Sequence, residues 1–170
     1  DFVSTCCGGE EYFDYYEAFD RLLAGVEELS FMEFFEESVD EWPDYFESYE
    51  KGEQSWPGPH KFPNLKNLDL SGQYFEELPL EIGELPSLKQ LRLEESETLA
   101  NIDALADVSG LEELRLIYCT ELENVDGLAG LEQLTLLDLT GCAALKNLPD
   151  LSKLTNLETL HLDDCESLEN

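Results

Sequence analysis

Leucines recur along residues 65–170 with a fixed period. The pattern is L-x-x-L-x-L, and its first leucine recurs at five positions that are each 23 residues apart: Leu65, Leu88, Leu111, Leu134 and Leu157. A fixed period in the twenties is typical of solenoids, in which every repeat packs against its neighbours only. The sequence therefore predicts five 23-residue repeats over 65–170.

The two halves of each repeat have different hydrophobic patterns. The first half alternates with period two, which predicts a short parallel strand whose leucines point into the core. The second half has an apolar residue at every third position, as at Leu145, Leu148 and Leu151, which favours a 3-10 or extended turn over a long α-helix. The ninth position of each repeat should face backbone in the interior and form hydrogen bonds with it. These residues are Gln73, Ser96, Cys119, Cys142 and Cys165.

Residues 1–64 differ from the repeats and are predicted to form an acidic, aromatic-rich N-terminal cap. Helical spacing of apolar residues predicts a helix at about 10–24, and VEELSF predicts a first strand at about 26–31. An insertion at about 32–63 follows and contains Trp42 and Trp56. It is interpreted either as a loop that covers the first turn of the solenoid or as a binding loop with aromatic anchors.

The repeats resemble those of the leucine-rich-repeat family. The core L-x-x-L-x-L and the segment C-x-x-L-x-x-L-P at 142–149 are similar to the repeats of plant intracellular immune receptors and of bacterial leucine-rich-repeat proteins. The resemblance implies an α/β solenoid, a horseshoe with a parallel β-sheet on its concave face and short turns on its convex side. It also implies protein binding on the concave sheet.

The charge of the chain narrows the range of partners. Forty acidic residues against nine basic ones give a net charge of −31, which argues against binding nucleic acid or anionic lipid. The charge favours a basic protein partner; the alternatives are an acidic inhibitor that blocks the cationic active site of a toxin or nuclease, and adaptation to high salt. No apolar run reaches 18 residues, so no membrane-spanning segment is predicted.

The outward positions of the strands form columns across the predicted sheet. Two arginines at its centre, together with Ile117 and Tyr118, are a candidate contact patch, because Arg and Tyr are favoured at binding hot spots. Alternatively, the arginines only neutralise neighbouring carboxylates. The candidate partner-binding residues are Arg92, Arg115, Ile117, Tyr118, Asp138, His161, Trp42 and Trp56, and the central column is Ser30, Asp69, Arg92, Arg115, Asp138 and His161.

Candidate chemistry is sparse. The two histidines are His60 and His161, and His161 has no activated Ser or Cys beside it, so no enzyme activity is predicted. His161, Asp163 and Asp138 could offer one nitrogen and two oxygens to a metal, although so many carboxylates produce such a triplet by chance. No cofactor is predicted.

Cysteines and chain ends complete the predictions. The repeat cysteines should be buried free thiols, which favours a reducing, cytoplasmic compartment over a disulfide framework. The chain begins at Asp1, which suggests either a removed leader or an excised fragment. It ends at Asn170, within a repeat, so the last strand should be an open edge. We expect a truncated chain or an end-to-end homodimer.

Overall fold

The computed structural model describes residues 25–30 and 62–169. In this part of the chain, one short strand recurs in each repeat, and all the strands join one parallel sheet in sequence order. The strands are β1 (Glu28–Ser30), β2 (Asn67–Asp69), β3 (Gln90–Arg92), β4 (Glu113–Arg115), β5 (Leu136–Asp138) and β6 (Thr159–His161). The parallel sheet predicted from the leucine period is confirmed.

The register follows directly from the period. Leu68 of β2 pairs with Leu91 of β3, and Leu91 pairs with Leu114 of β4, so each pairing joins residues 23 apart. Because side chains alternate along a strand, the central leucines of β2 to β5 point to one side, where each is at most 1% exposed. The leucines of all the repeats thus merge into one continuous core.

Short turns return the chain from one strand to the next. The repeats at 65–87, 88–110 and 111–133 contain 3-10 segments at Leu80–Glu84, Asp103–Leu105 and Asp126–Gly130. The repeat at 134–156 has turns without a 3-10 segment. Apolar spacing of three therefore produces either a 3-10 or an extended turn, as the sequence predicted.

The ninth positions satisfy buried carbonyls. Ser96 Oγ donates to the carbonyl of Leu70 at 3.4 Å, and Cys119 Sγ donates to that of Leu93 at 3.0 Å. Cys142 and Cys165 repeat the contact with Leu116 and Leu139. The predicted interior role is confirmed for these four residues.

Gln73 departs from the pattern of the other ninth positions. It is half-buried, and its Nε2 donates to the carbonyl of Ser71 within its own repeat at 3.4 Å. Its side chain therefore does not bridge two repeats, as the side chains of Ser96 and the three cysteines do.

The three repeat cysteines are free thiols, and Cys119 and Cys142 are fully buried. Burial raises the pKa of Cys119 to about 12. Burial also raises the pKa of Cys142, and the neighbouring thiols of Cys119 and Cys165 add to the effect. These thiols stay protonated at neutral pH and act as small hydrogen-bonding core residues.

The N-terminal predictions are only partly covered by the described residues. β1 (Glu28–Ser30) lies within the strand predicted at 26–31 and pairs with β2. The helix predicted at 10–24 and almost all of the insertion at 32–63, with Trp42 and Trp56, lie outside the described residues. Within 25–30 and 62–169, no helix has the length and apolar character needed to cross a bilayer.

The last strand has a neighbour on one side only among the described residues. β6 pairs with β5, and Leu160 is 40% exposed, whereas its counterparts in β2 to β5 are buried. Its neighbours Leu157, Leu162 and Cys165 are only partly buried. The end-to-end homodimer expected from the sequence remains a prediction.

Candidate functional site

The face of the sheet opposite the leucine core, called here the outer face, presents aligned columns of side chains. The predicted central column is confirmed by the register: Asp69 pairs with Arg92, Arg92 with Arg115, and Arg115 with Asp138. His161 continues the column in β6. Two residues earlier in each strand, a second column contains Asn67, Gln90, Glu113, Leu136 and Thr159.

The two aspartates of the central column are held by their own strands. Asp69 Oδ1 accepts hydrogen bonds from the backbone N–H of Ser71 at 3.0 Å and from Ser71 Oγ at 2.6 Å. Asp138 Oδ1 accepts one from the backbone N–H of Thr140 at 3.0 Å. One oxygen of each carboxylate is thus held by the residue two positions further along the chain, and neither carboxylate forms an ion pair with an arginine among the described residues.

The two arginines of the column have different surroundings. Arg115 donates to Glu113 at 3.0 Å, and this ion pair is partly buried, with side chains 24% and 29% exposed. Arg92 is exposed and forms no ion pair or side-chain hydrogen bond with any residue that the structure describes. Among the described residues, Arg115 is therefore paired with a carboxylate and Arg92 is not.

An aromatic side chain lies at the end of β4. Tyr118 is 50% exposed, and its ring lies over Gly141 of the next repeat, where a Cβ would overlap the ring. Ile117 beside it is half-buried. Arg115, Ile117 and Tyr118 thus place a cation, an aliphatic group and a ring close together along the chain, and their role as a contact patch remains a prediction.

The backbone at Tyr118 is left-handed, with φ of 59°. The equivalent residue of every described turn shares this conformation, with φ between 57° and 76°. Only glycine adopts it without steric cost. The five residues are Gly72, Glu95, Tyr118, Gly141 and Asp164.

Leu136 belongs to the outer face, although it was not among the predicted contact residues. It occupies the second column next to Glu113 of β4 and is half-buried. The segment L-T-L-L-D-L contains a leucine at an outward position of the repeat pattern, which is the signal that could have identified it. Leu136 adds an apolar group to the face on the side away from Tyr118.

The residues of the candidate metal site, His161, Asp163 and Asp138, are not grouped to hold a metal ion. His161 Nδ1 lies 4.0 Å from Asp163 Oδ2, and both side chains are exposed. Asp138 is bound to the Thr140 backbone instead. Across the described ranges, no group of three or more His, Cys, Asp or Glu residues is placed to hold a metal ion.

Neither the protein-family models nor the curated proteins give a match to this sequence. Several solved structures match this chain. The leucine-rich repeat domain of the type III effector XopL matches with a TM-score of 0.56 and 34% identity, over 64% of this chain and 38% of that one. A leucine-rich-repeat protein of Leptospira interrogans matches with a TM-score of 0.36 and 20% identity, over 65% and 41%. Internalin C2 of Listeria monocytogenes gives 0.35 and 19%, over 83% and 82%.

The class of protein follows from these observations. A 23-residue period, one parallel strand per repeat and a continuous leucine core give this chain a solenoid fold of the leucine-rich-repeat type, similar to that of the XopL domain. This chain spans about two fifths of the XopL domain structure, 38% of its length. Domains of this class typically bind other proteins.

Proposed function

We propose that this chain is a non-enzymatic binding module that holds a partner protein on the outer face of its sheet. The observation that supports this most is the group of Arg115, Ile117 and Tyr118. Tyrosine and arginine are enriched among the residues that contribute most to binding energy, especially around an apolar centre. Here a half-exposed ring is seated on the neighbouring repeat, so little conformational freedom would be lost when a partner covers it.

The partner of this proposal carries a basic surface. The outer face and its turns are rich in carboxylates, and the whole chain has a net charge of −31. Such a field raises the encounter rate with cationic proteins, although salt limits its range to about 8 Å under physiological conditions. The acidic residues of the outer face and its turns include Asp69, Glu94, Glu95, Glu113, Asp138, Asp163 and Asp164.

The proposal also includes Asp138 and His161 on the face and Trp42 and Trp56 of the insertion. Trp is a frequent anchor residue at interfaces, and both tryptophans of the sequence lie in the insertion. The acidic-inhibitor alternative concerns the identity of the partner rather than the surface. Measuring the partner's own catalytic activity with and without this chain distinguishes an inhibitor from a binding module that leaves the partner active.

Binding partners can be captured from a lysate of the source organism on the immobilised chain at 50 and 150 mM NaCl and identified by mass spectrometry. We expect a basic protein that is retained at both salts and that loses at least tenfold in affinity with Tyr118→Ala or Arg115→Glu, as hot-spot losses above about 1.4 kcal/mol require.

Tyr74→Ala provides the matched control for the capture experiment. Tyr74 is also an exposed tyrosine, at 80%, and it lies outside the strand columns. Its replacement should leave the affinity unchanged. A partner whose affinity is equally insensitive to Tyr118→Ala, Arg115→Glu, Asp138→Ala and His161→Ala would show that the outer face is not the binding surface.

A further inference from the structure

Arginine is rare in this chain, and two of the three arginines stand side by side. They are Arg92 and Arg115, and the third is Arg21. Arg92 and Arg115 are direct partners in the register of β3 and β4, where the strands are about 4.8 Å apart. Like charges directly opposite each other destabilise a sheet. A function of the two arginines in binding would offset this cost.

The acidic residues beside Arg92 in the register form no ion pair with it. Asp69, its neighbour in the column, accepts two hydrogen bonds from Ser71. Glu113, diagonally across in β4, is paired with Arg115. Glu94, two residues further along the same strand, forms no ion pair with Arg92. Among the residues that the structure describes, the Arg92 guanidinium is therefore open to an external anion.

We propose that Arg92 and Arg115 together bind one carboxylate side chain of the partner protein, an inference that rests on the proposed function and specifies the partner's chemistry. A guanidinium presents its N–H groups as a planar fork that matches a carboxylate in a bidentate manner. Arg92 offers its whole fork, whereas one nitrogen of Arg115 is occupied by Glu113. This capacity suits a single carboxylate better than a doubly charged phosphate, which the surrounding acidic residues would repel.

The order of charges along the column also determines which residues of the partner flank its carboxylate. The column reads Asp69, Arg92, Arg115, Asp138 across four strands. A group midway between the arginines lies about 7 Å from each aspartate column position at the usual strand spacing. An extended segment rises about 3.3 Å per residue, so 7 Å corresponds to two residues. The complement is therefore a basic-x-acidic-x-basic segment, whose three charged side chains point to the same side.

The first step of the test is a selection of random displayed peptides on the immobilised chain at 150 mM NaCl, in parallel with an Arg92→Gln/Arg115→Gln variant. Lys153→Gln is the control, because it removes one positive charge from an exposed position outside the columns. We expect the wild-type chain and Lys153→Gln to enrich peptides with Glu or Asp between two basic residues at alternate positions. The double variant should not enrich them.

The second step measures the coupling between the arginines and the acidic residue of one selected peptide. We expect Arg92→Gln to weaken binding about tenfold, as does replacing the peptide's Glu by Gln. The two changes together should cost little more than either alone, because they remove the same contact. The folded state of each variant is checked by its urea midpoint, which should be close to that of the wild type.

The outcomes separate the two proposals. Selected peptides that lack an acidic residue, or that bind the double variant equally well, overturn the carboxylate site but leave protein binding on the outer face standing if Tyr118→Ala weakens them. A phosphoserine counterpart that binds much more tightly than the Glu peptide also overturns the carboxylate assignment. Absence of any enriched peptide, with no protein captured from the lysate, counts against both proposals.

Discussion

The residue three positions after the end of each strand from β2 to β6 has an unusual backbone conformation. At this place the chain turns out of the sheet with a positive φ in every described repeat, yet only Gly72 and Gly141 are glycines. Glu95, Tyr118 and Asp164 adopt the same conformation at a cost of about 1–2 kcal/mol each relative to glycine. At Tyr118 this backbone aims the ring at Gly141, so the cost accompanies a side chain of the candidate binding face.

Replacing Gly141 by alanine should destabilise the protein more than the same change at Gly72. Both glycines have φ above 70°, but a Cβ at Gly72 has nothing within 4 Å, whereas one at Gly141 would overlap the Tyr118 ring. We expect a loss of about 1 kcal/mol for Gly72→Ala and of about 2–3 kcal/mol for Gly141→Ala, which adds overpacking. Urea unfolding measures both. Equal losses would show that the ring does not rest there.

The buried thiols should make stability fall in alkali. The pKa of Cys119 is raised from 9.0 to about 12, so between these values the unfolded chain releases a proton that the folded chain keeps. The contribution of Cys119 is therefore complete below pH 9 and is lost as pH rises towards 12, by about 1.4 kcal/mol per pH unit.

Cys119→Ser is the variant that isolates this effect in urea unfolding between pH 8 and 10.5 under reducing conditions. A hydroxyl does not titrate in this range, and Ser96 shows that serine can donate to the equivalent carbonyl. We expect the free energy of unfolding to decrease less steeply with pH in the variant. Parallel curves for the two proteins would contradict the assignment.

At the scale of elements, every described strand is three residues long, whereas the turns that join the strands differ from repeat to repeat. The 3-10 segments Asp103–Leu105 and Asp126–Gly130 lie in adjacent repeats. Asn101 and Asn124 introduce them by accepting the backbone N–H two residues later, at 3.3 and 2.8 Å. Asparagine side chains that bond the backbone in this way favour turns.

Glycine sets how closely these two segments approach each other. A Cβ at Gly127 would overlap the carbonyl of Ile102, and one at Gly130 would overlap that of Ala106. We expect Gly127→Ala and Gly130→Ala each to cost about 1–3 kcal/mol, because backbone atoms must shift. Gly110→Ala is the control, since its nearest contact is an ordinary 3.6 Å. Thermal unfolding that ranks Gly110→Ala as equally harmful would refute this account of the turns.

Sequence reasoning was reliable wherever the repeat period alone decides the structure. The 23-residue step fixes the register, and the register places Arg92 beside Arg115. It could not show that Asp69 accepts hydrogen bonds from Ser71, or that Arg92 has no ion-pair partner among the described residues, because side-chain rotamers decide which of several partners a polar group contacts. The seat of the Tyr118 ring on Gly141 was missed for the same reason. Leu136 was missed because an isolated leucine at an outward position does not by itself indicate a contact residue.

For the whole molecule, the dominant property is its uncompensated charge. A net charge of −31 repels itself most in the compact state. Only a few ion pairs join described residues, such as Lys66 with Glu27 at 2.8 Å and Lys89 with Glu112 at 2.8 Å, and they are well exposed. Exposed pairs contribute about 0–1 kcal/mol each, so they cannot offset the repulsion.

Salt should therefore stabilise the fold. Raising NaCl from 10 mM to 0.5 M shortens the screening distance from about 30 Å to less than 10 Å, and we expect the urea midpoint to increase steadily over this range. The gain should be smaller in a variant with several exposed glutamates of the turns changed to glutamine. A chain that unfolds altogether at low salt would support adaptation to high salt, whereas a midpoint independent of salt would contradict the repulsion argument.

The central column has a further consequence for how a bound segment is oriented. Its order of charges, Asp69, Arg92, Arg115, Asp138, is a palindrome and reads the same from either end of the solenoid. A ligand that senses only these four charges has no preferred polarity and would bind equally well in both directions. The two ends differ in what flanks the column: Glu94 lies beside Arg92, whereas Ile117 and Tyr118 lie beside Arg115. The direction in which a segment binds is thus set by which of its two ends is apolar.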